Sequence, residues 1–568
     1  MIPVPTNKNE IVDLAKELIE QCRVSAGPRS NYYRLMSILA ETGRYDGQKS
    51  LINLLYKILD RTAAHLFSPV ELRFAIDFEK PVPAHFLEKA KVVAGHLTRS
   101  WELSSTDTTF GRGVFDSLKY GVAILKQWPE TSGPPKEEHT SYERKLVMPW
   151  NFGVYREDEN DLSKQEVLCE TSTLTMPEIW RRIWHLDDKK KLYDRIKTHS
   201  RKGAVVSDPA SMFHQVLSTS QLQTGVNTNT LPGGIVQIGN DPNYAVMGPV
   251  IGAETVEFHE LWVKDEEDYT TIQIVEPDIL IAPIHKKANL LGVPKKQPYR
   301  KIQPNEVTNW FWGRSELIDL IESQGFLSGI CDDLKRMFGL QIDKILAFSG
   351  DTTIQDEQYA QFRQAGYVNL GQSGKVEDLT PAIPPEALQL VEFLINQINE
   401  MAGFPKIMQG QGESGVRAGN HANLIQKMAS PTLRDRALLV ERQCAECADL
   451  DLSIKEAKDP HKYWTKADDA VKDVDETSFL LTDLPDDWRV TVDSHSSSPI
   501  FSDENTQLVM AAHKTGIVQT EYVIDNVALP NKAEAKAQNR KHEAEQAKLF
   551  KEHPELLVES FKHGGGKR

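Results

Sequence analysis

The sequence predicts an α+β protein of several domains. Three observations carry this. The chain has 568 residues, room for about three or four domains of ordinary size. Apolar residues recur at helical spacing over the first 125 residues and again beyond about residue 313. Between these regions, 255–285 holds three short β-forming runs, VEFHELWV, YTTIQIV and ILIAPI, which read as an antiparallel meander.

In chain order, Ile11, Leu14, Leu18 and Ile19 place a helix over 10–22. A second helix covers 31–42 and stops near Gly43, a natural left-handed terminus. Residues 48–66 carry a leucine-rich stripe ended by Ser68-Pro69. Helices are expected over 84–102 and 107–125, and Pro129, Gly133, Pro134 and Pro135 mark a surface loop. Thr175 precedes Glu178 by three residues with Pro177 between them, the signature of a capping box opening a helix. Residues 203–254 are rich in Gly, Asn, Thr and Ser and read as loops with short strands. The proline-bearing stretch 286–310 reads as a hinge.

The next unit has the most to say about function. Leu317, Ile321, Leu327, Ile330, Leu334, Met337 and Phe338 define an amphipathic helix over 315–338. Its weak points are Gly325 and Gly329, each costing about 1 kcal/mol relative to alanine. A mixed insert over 341–383 follows. Pro384-Pro385 then opens a second amphipathic helix over 386–401. A glycine-rich loop (Gly403, Gly410, Gly412, Gly415, Gly419) leads into a helix over 420–449 that is interrupted at Ser430-Pro431. Strand and loop are expected over 460–500, then helices from Glu504 to about residue 552 and a flexible GGGKR end.

Composition narrows the function classes. The apolar fraction of 40% and charged fraction of 26% are those of a folded protein with a sizeable core. No apolar run approaches the roughly 18 residues of a membrane span. The opening MIPVPTNKNE lacks a basic, then apolar leader, so folding in the cytoplasm is expected. A net charge of −15 opposes tight gripping of DNA through counterion release, but suits a surface along which DNA slides. Five cysteines argue against a disulfide framework. Cys444 and Cys447 lie in a helical pattern with no second pair, so helix packing is expected there rather than zinc.

Catalytic motifs are wanting. GQSGK at 371–375 has Asn369 where a phosphate-binding loop needs its first glycine, and Val376 where it needs Ser or Thr. There is no G-x-S-x-G elbow, and His259-Glu260 lacks a second histidine four residues on. Glu456-Ala-Lys458 and Glu534-Ala-Lys536 lie in mixed-charge surface sequence. The trio Trp310, Phe311, Trp312 has only Arg314 as a cationic neighbour, so packing is expected rather than base stacking. No catalytic residue, metal or cofactor is expected.

Charge on the two long helices is biased. Over 313–340 and 384–403, eight acids stand against three bases, leaving −5. A solvated helix face is the plain reading. In the loop the sign turns: Lys406 and Arg417 outnumber Glu413, with Gln409 and Gln411 between them.

The ordered succession resembles the portal (head-to-tail connector) proteins of tailed double-stranded-DNA bacteriophages. The likeness runs from NYYRLMSILAETGRYDGQKSLINLLYKILDRTAAHLF through HELWVKDEEDYTTIQIVEPDILIAPIH to WGRSELIDLIESQGFLSGICDDLKRMFG. The insert follows, then the second helix ending NEMAGFP, then GQGESGVRAGNHANLIQKM and SSSPIFSDENTQLVMAAHKTGIVQTEYVIDN. It covers about residues 30–545 and rests on order rather than on one short motif.

The resemblance implies a portal fold: an N-terminal arm (1–29), a wing (30–312), a first stem helix (313–340), a clip (341–383) and a second stem helix (384–403). A tunnel loop (404–419), a kinked helix returning to the wing (420–500), crown helices (501–552) and a flexible tail (553–568) complete it. It implies a homo-oligomeric ring, typically of twelve copies, at one capsid vertex of a virion assembled in the host cytoplasm. Such a ring passes double-stranded DNA during packaging and ejection. It meets the terminase large subunit, then head-tail adaptor or tail proteins, and major capsid and scaffolding proteins, with no membrane. The channel acids would be Glu316, Asp319, Glu322, Glu386, Glu392 and Glu400; the tunnel loop would offer Lys406, Gln409, Gln411, Glu413 and Arg417. The family carries no catalytic residues. The alternatives are another virion component, such as a tail or adaptor protein, and a soluble enzyme with an unrecognised site.

Overall fold

The computed structural model describes residues 2–44, 50–205, 236–237, 245–246, 250–342, 346–349, 375–404, 431–493 and 508–542, apart from 71, 133–138, 267, 276–277, 283–288, 380–381, 459, 465–477, 486, 519, 521–522, 525–537 and 540. The mixed helix-and-sheet class holds, and every strand pair among the described residues is antiparallel.

The chain opens with helices α1 (Lys8–Cys22), α2 (Ala26–Thr42) and α3 (Leu55–Leu66). Asn7 caps α1, its side chain accepting from the Asn9 N–H. Gly43, left-handed at φ 76°, stops α2 where a left-handed terminus was expected. Helix α3 starts seven residues later than the leucine pattern from 48 implied. Ser50–Leu54 instead spend their polar groups on the neighbouring long helix, with the Leu54 N–H donating to Gln324 Oε1 at 3.1 Å. Strand β1 (Phe74–Phe78), α4 (Ala84–Leu103) and α5 (Thr106–Tyr120) follow.

Helix α5 ends before 125 because Gly121, at φ 100°, turns the chain into strand β2 (Ala123–Ser132). β2 pairs with β3 (His139–Val147), so Pro129 sits in a strand rather than a loop. Its missing N–H is tolerated because the other edge of β2 is paired only through Lys126, against the later β12. Next come β4 (Phe152–Val154), β5 (Val167–Thr175), α6 (Met176–Ile183) and α7 (Lys189–Lys197). The predicted capping box is present: the Glu178 carboxylate accepts from the Thr175 N–H at 2.7 Å and its hydroxyl at 2.8 Å.

Strands β6 (Arg201–Val205), β7 (Val236–Gln237) and β8 (Ala245–Val246) precede the meander β9 (Val250–Asp265), β10 (Asp268–Val275) and β11 (Ile279–Ala282). β9 is longer than the sequence suggested because β5, β6 and β10 all pair along it. Strand β12 (Tyr299–Ile302) joins β2.

This region is layered. A six-stranded sheet, with order β11–β10–β9–β5–β4 and β6 also on β9, buries Val167, Cys169, Leu261, Val263, Ile272 and Ile274 against α1. Strand alternation turns Leu168, Glu170, Glu260 and Trp262 the other way. There Leu168 and Trp262 pack with Ile124, Val147 and Tyr299 of the three-stranded sheet β12–β2–β3. Helices α6 and α7 cover one end through Ile179, Ile183 and Ile196.

Helix α8 (Ile321–Ile342) and helix α9 (Glu386–Met401) flank the insert, in which β13 (Leu346–Ser349) pairs with β14 (Lys375–Asp378). Helix α10 is described over Pro431–Lys458; residues 420–430, and with them the expected interruption at Ser430-Pro431, lie outside the described residues. Short strands β15 (Tyr463–Trp464) and β16 (Ser478–Phe479) pair with each other, and β17 (Trp488–Val492) returns to pair with β1. Helical turns recur at 508–514. The largest core cluster joins α2–α5, β1, β17 and the long helices α8, α9 and α10. None of the described helices is long and apolar enough to cross a membrane.

Candidate functional site

The helix pair α8 and α9 is the candidate site, and its first helix is anchored residue by residue. The expected helix start at 315 is displaced to 321, after a 3-10 turn over Ile318–Leu320. The cause is hydrogen bonding outside the helix. The Glu316 N–H donates to the Leu118 carbonyl at 2.9 Å, and the Ser315 hydroxyl to the same carbonyl at 3.2 Å. Thus the C-terminal turn of α5, whose carbonyls lack helical partners, becomes the socket for the strut. Further along, Gln324 is buried and bridges the chain segment before α3, donating to the Ile52 carbonyl at 2.7 Å while accepting from Leu54. Ser328 and Ser50 hydroxyls meet at 2.8 Å, and Asp332 pairs with Arg44.

Helix α9 lies beside α8. Leu394 and Ile398 join Leu320, Ile321, Leu327 and Cys331 in the core. Its end is pinned by Phe404, buried against the His65 ring at 5.4 Å, with the Phe404 N–H on the Asn399 carbonyl.

Beyond these contacts the pair leaves apolar surface in the open. The buried stripe of α8 (Leu327, Cys331, Leu334) continues at the same spacing into Phe338 and Ile342, but Ile342 is 84% exposed. On the opposite face Phe326 is 57% exposed, and a side chain added at Gly325 or Gly329 would meet nothing within 4 Å. On α9, Glu386, Phe393 and Glu400 recur every seven residues and so share one exposed line, with Phe393 60% exposed.

The six candidate acids separate into classes. Glu322, Glu386, Glu392 and Glu400 are exposed and make no ion pair among the described residues. Asp319 is exposed and pairs with Arg314. Glu316 departs from the expectation of an open channel acid: it is largely buried, accepts from Arg436 at 2.8 Å and from the Asn305 side chain at 2.8 Å. Its carboxylate ties the strut to α10 and is spent inside the chain. Lys406, Gln409, Gln411, Glu413 and Arg417 lie outside the described residues.

Two of the aromatic trio pack, while Trp310 is exposed. Phe311 and Trp312 are buried, and the Arg29 guanidinium sits 3.6 Å over the Trp312 ring. Cys444 and Cys447 are free thiols buried within the packing of α10, where burial raises both pKa values.

A feature missed by sequence reasoning is a buried ionic network between the two sheets. Lys126 Nζ lies 2.5 Å from Glu170 and 2.6 Å from Glu260, and the Tyr299 hydroxyl donates to Glu170 at 3.0 Å. Burial alone would raise the Glu170 pKa; the charges of Lys126 and Lys145 outweigh it and hold the group ionised. Next to it, His259 Nδ1 contacts the Thr171 hydroxyl at 3.0 Å, and burial depresses its pKa to about 4. The signal available in the sequence was a charge on the inward phase of an apolar strand: Phe258, Glu260 and Trp262 alternate to one face. Glu260 therefore belongs to the interface between the sheets, whereas His259, in the opposite strand phase with Leu261 and Val263, lies on the α1 side with Glu257.

No protein-family model matches the chain, and no curated protein matches it significantly.

Proposed function

We propose that the chain is the repeating subunit of a portal-type ring, a structural conduit for double-stranded DNA at a capsid vertex. In this reading α8 and α9 are the stem, the insert between them is the clip, and the layered sheets and N-terminal helices are the wing. The ring would guide DNA during packaging and ejection and present its clip to the terminase and later to tail or adaptor proteins.

The observation that carries the reading is the paired helix unit with its apolar faces uncovered. Phe326, Phe338, Ile342, Leu388 and Phe393 are all exposed on two adjacent helices. Large exposed apolar side chains gathered on one unit mark association surfaces rather than ordinary solvent faces. A closed ring of identical copies is the symmetric arrangement that covers such faces without leaving an open end. The exposed acids Glu322, Glu386, Glu392 and Glu400 add a surface that repels phosphates, which suits passage rather than capture.

Native mass measurement of the full-length protein, with electron micrographs viewed down the particle axis, tests the proposal. A ring of about ten or more copies around a central hole is expected, against the monomer, dimer or tetramer usual for an enzyme of this size. A protein that stays monomeric at high concentration and low salt overturns it.

A further inference from the structure

A separate cavity of about 490 Å³ lies where α4, β3 and α10 meet. Among its walls are His96, Arg99 and Ser100 from α4, Tyr142 and Arg144 from β3, and Lys455 from α10, and no carboxylate among the described residues lines it. In that it differs from the clefts around Arg300 and around Arg314, where acids and bases alternate.

The charge behind the wall does not balance. Arg144 and Lys455 share a single buried carboxylate, Asp451, at 2.6 Å and 3.0 Å, and the Trp101 indole N–H occupies part of it at 3.3 Å. Two cations against one acid leave a net positive charge in a site where Arg144 is only 6% exposed. Burial, with Arg144 nearby, lowers the Lys455 pKa against the opposing pull of Asp451, the response of a cation short of compensation. The Arg144 Nε–H is buried and finds no acceptor among the described residues. Arg99 stands exposed at the mouth and adds a third permanent charge. Hydroxyls are placed to share a ligand's oxygens: Ser100 Oγ already accepts from Lys455 at 2.6 Å, leaving its proton free to be donated.

We propose that this cavity is an oxyanion site that takes a phosphate group, held by Arg99 and Lys455 with the Arg144–Asp451 pair fixing the wall behind. The chemistry fits inorganic phosphate or one phosphate of a polynucleotide backbone; both present tetrahedral oxygens to convergent N–H and O–H donors. The assignment does not depend on ring formation, since all its residues come from one copy.

The test titrates the full-length protein with sodium phosphate by calorimetry, against sodium chloride at matched ionic strength. A fluorescent 20-base-pair DNA duplex is followed by anisotropy in parallel. Arg99→Gln changes an exposed side chain and leaves the fold intact; Lys455→Met keeps the stem while removing the charge. Saturable binding by the wild type is expected, weakened about tenfold in either variant as a charge-assisted hydrogen bond is lost. Variant-sensitive binding of phosphate assigns the site to the free ion, and variant-sensitive binding of the duplex alone assigns it to the backbone. Absence of saturable binding to both probes, or equal affinities for wild type and Arg99→Gln, overturns the proposal.

Discussion

The Glu316 carboxylate and the Arg436 guanidinium meet at 2.8 Å, joining the start of the first strut to the first turns of α10. These two helices bracket the insert, the second strut and the glycine-rich stretch, so the pair closes a long excursion of the chain. Glu316 accepts from Asn305 through the same oxygen, Oε2, so one atom holds both partners. Glu316→Gln should destabilise the fold by about 1–3 kcal/mol, the range for losing a charge-assisted bond that is largely out of water. Urea denaturation of the single variants, and of Glu316→Gln with Arg436→Met, checks this. A coupling energy near zero in that cycle would show that the two act separately.

Gly313 makes the corner that lets the strut leave the sheet region. Its φ is 63°, and an added Cβ would lie 2.5 Å from the Gly121 carbonyl and 3.0 Å from that of Asn305. Gly313→Ala should therefore lose stability through both left-handed strain, about 1–3 kcal/mol, and a backbone clash. Gly325→Ala, in open space on α8, should instead stabilise by about 1 kcal/mol or less. Thermal melts of the two variants should move in opposite directions.

His259 predicts a pH dependence whose sign follows from its burial. Its folded pKa is depressed to about 4, below an unfolded value of about 6.5. Between these values the unfolded chain binds a proton that the folded chain does not, so stability rises with pH there. The contribution is whole above about pH 6.5 and is lost as pH falls to about 4. His259→Gln should flatten that window in denaturation midpoints measured from pH 4 to 7. Glu170 responds lower on the scale: its depressed pKa makes its contribution present above the ordinary carboxylate range and lost in stronger acid. Lys126→Met, which leaves two facing carboxylates buried, should cost about 3–5 kcal/mol at neutral pH.

Local signals in the sequence were read well where one short-range device decides the structure. Thr175 with Glu178 and Gly43 after α2 each act within a few residues. The β meander was legible from its three short runs of β-forming residues. What could not be read was set by distant partners. Helix α8 begins at Ile321 because the Leu118 carbonyl, some two hundred residues earlier, takes the Glu316 N–H and the Ser315 hydroxyl before it. Nothing near Glu316 in sequence marks it as paired; its partner Arg436 lies far along the chain. Lys126, Glu170 and Glu260 come from three separate strands, and only the sheet-on-sheet packing brings them within bonding distance.

The exposed rings on α8 and α9 separate folding from the proposed assembly. Phe326 and Phe393 contribute little to the core of one copy, so Phe326→Ser with Phe393→Ser should change stability by about 0.5 kcal/mol or less each. If these faces are covered by neighbouring copies, the same pair of changes should shift native mass toward the single chain. Unaltered assembly by light scattering would remove these rings from the interface.

On the proposed ring reading, the acids on α9 bear on passage rather than on folding. Glu386 and Glu400 share one exposed line with Phe393, and Glu392 lies to one side of it. Side chains so exposed add almost nothing to the stability of one copy, so their replacement by glutamine should leave folding and assembly as they are. Around a channel, however, the same charges act together on a polyanion that cannot leave. Salt screens them only beyond about 8–10 Å, a distance within which a duplex filling the channel must pass. Glu386→Gln, Glu392→Gln and Glu400→Gln combined should therefore let phosphates dwell on the wall, slowing DNA translocation while rings form normally. Packaging rates in a reconstituted motor, measured at two salt concentrations, give the readout. The deficit should shrink as salt rises, because screening weakens the repulsion in the parent and narrows its advantage. A triple variant that packages at the parental rate in low salt would show that the wall acids face elsewhere.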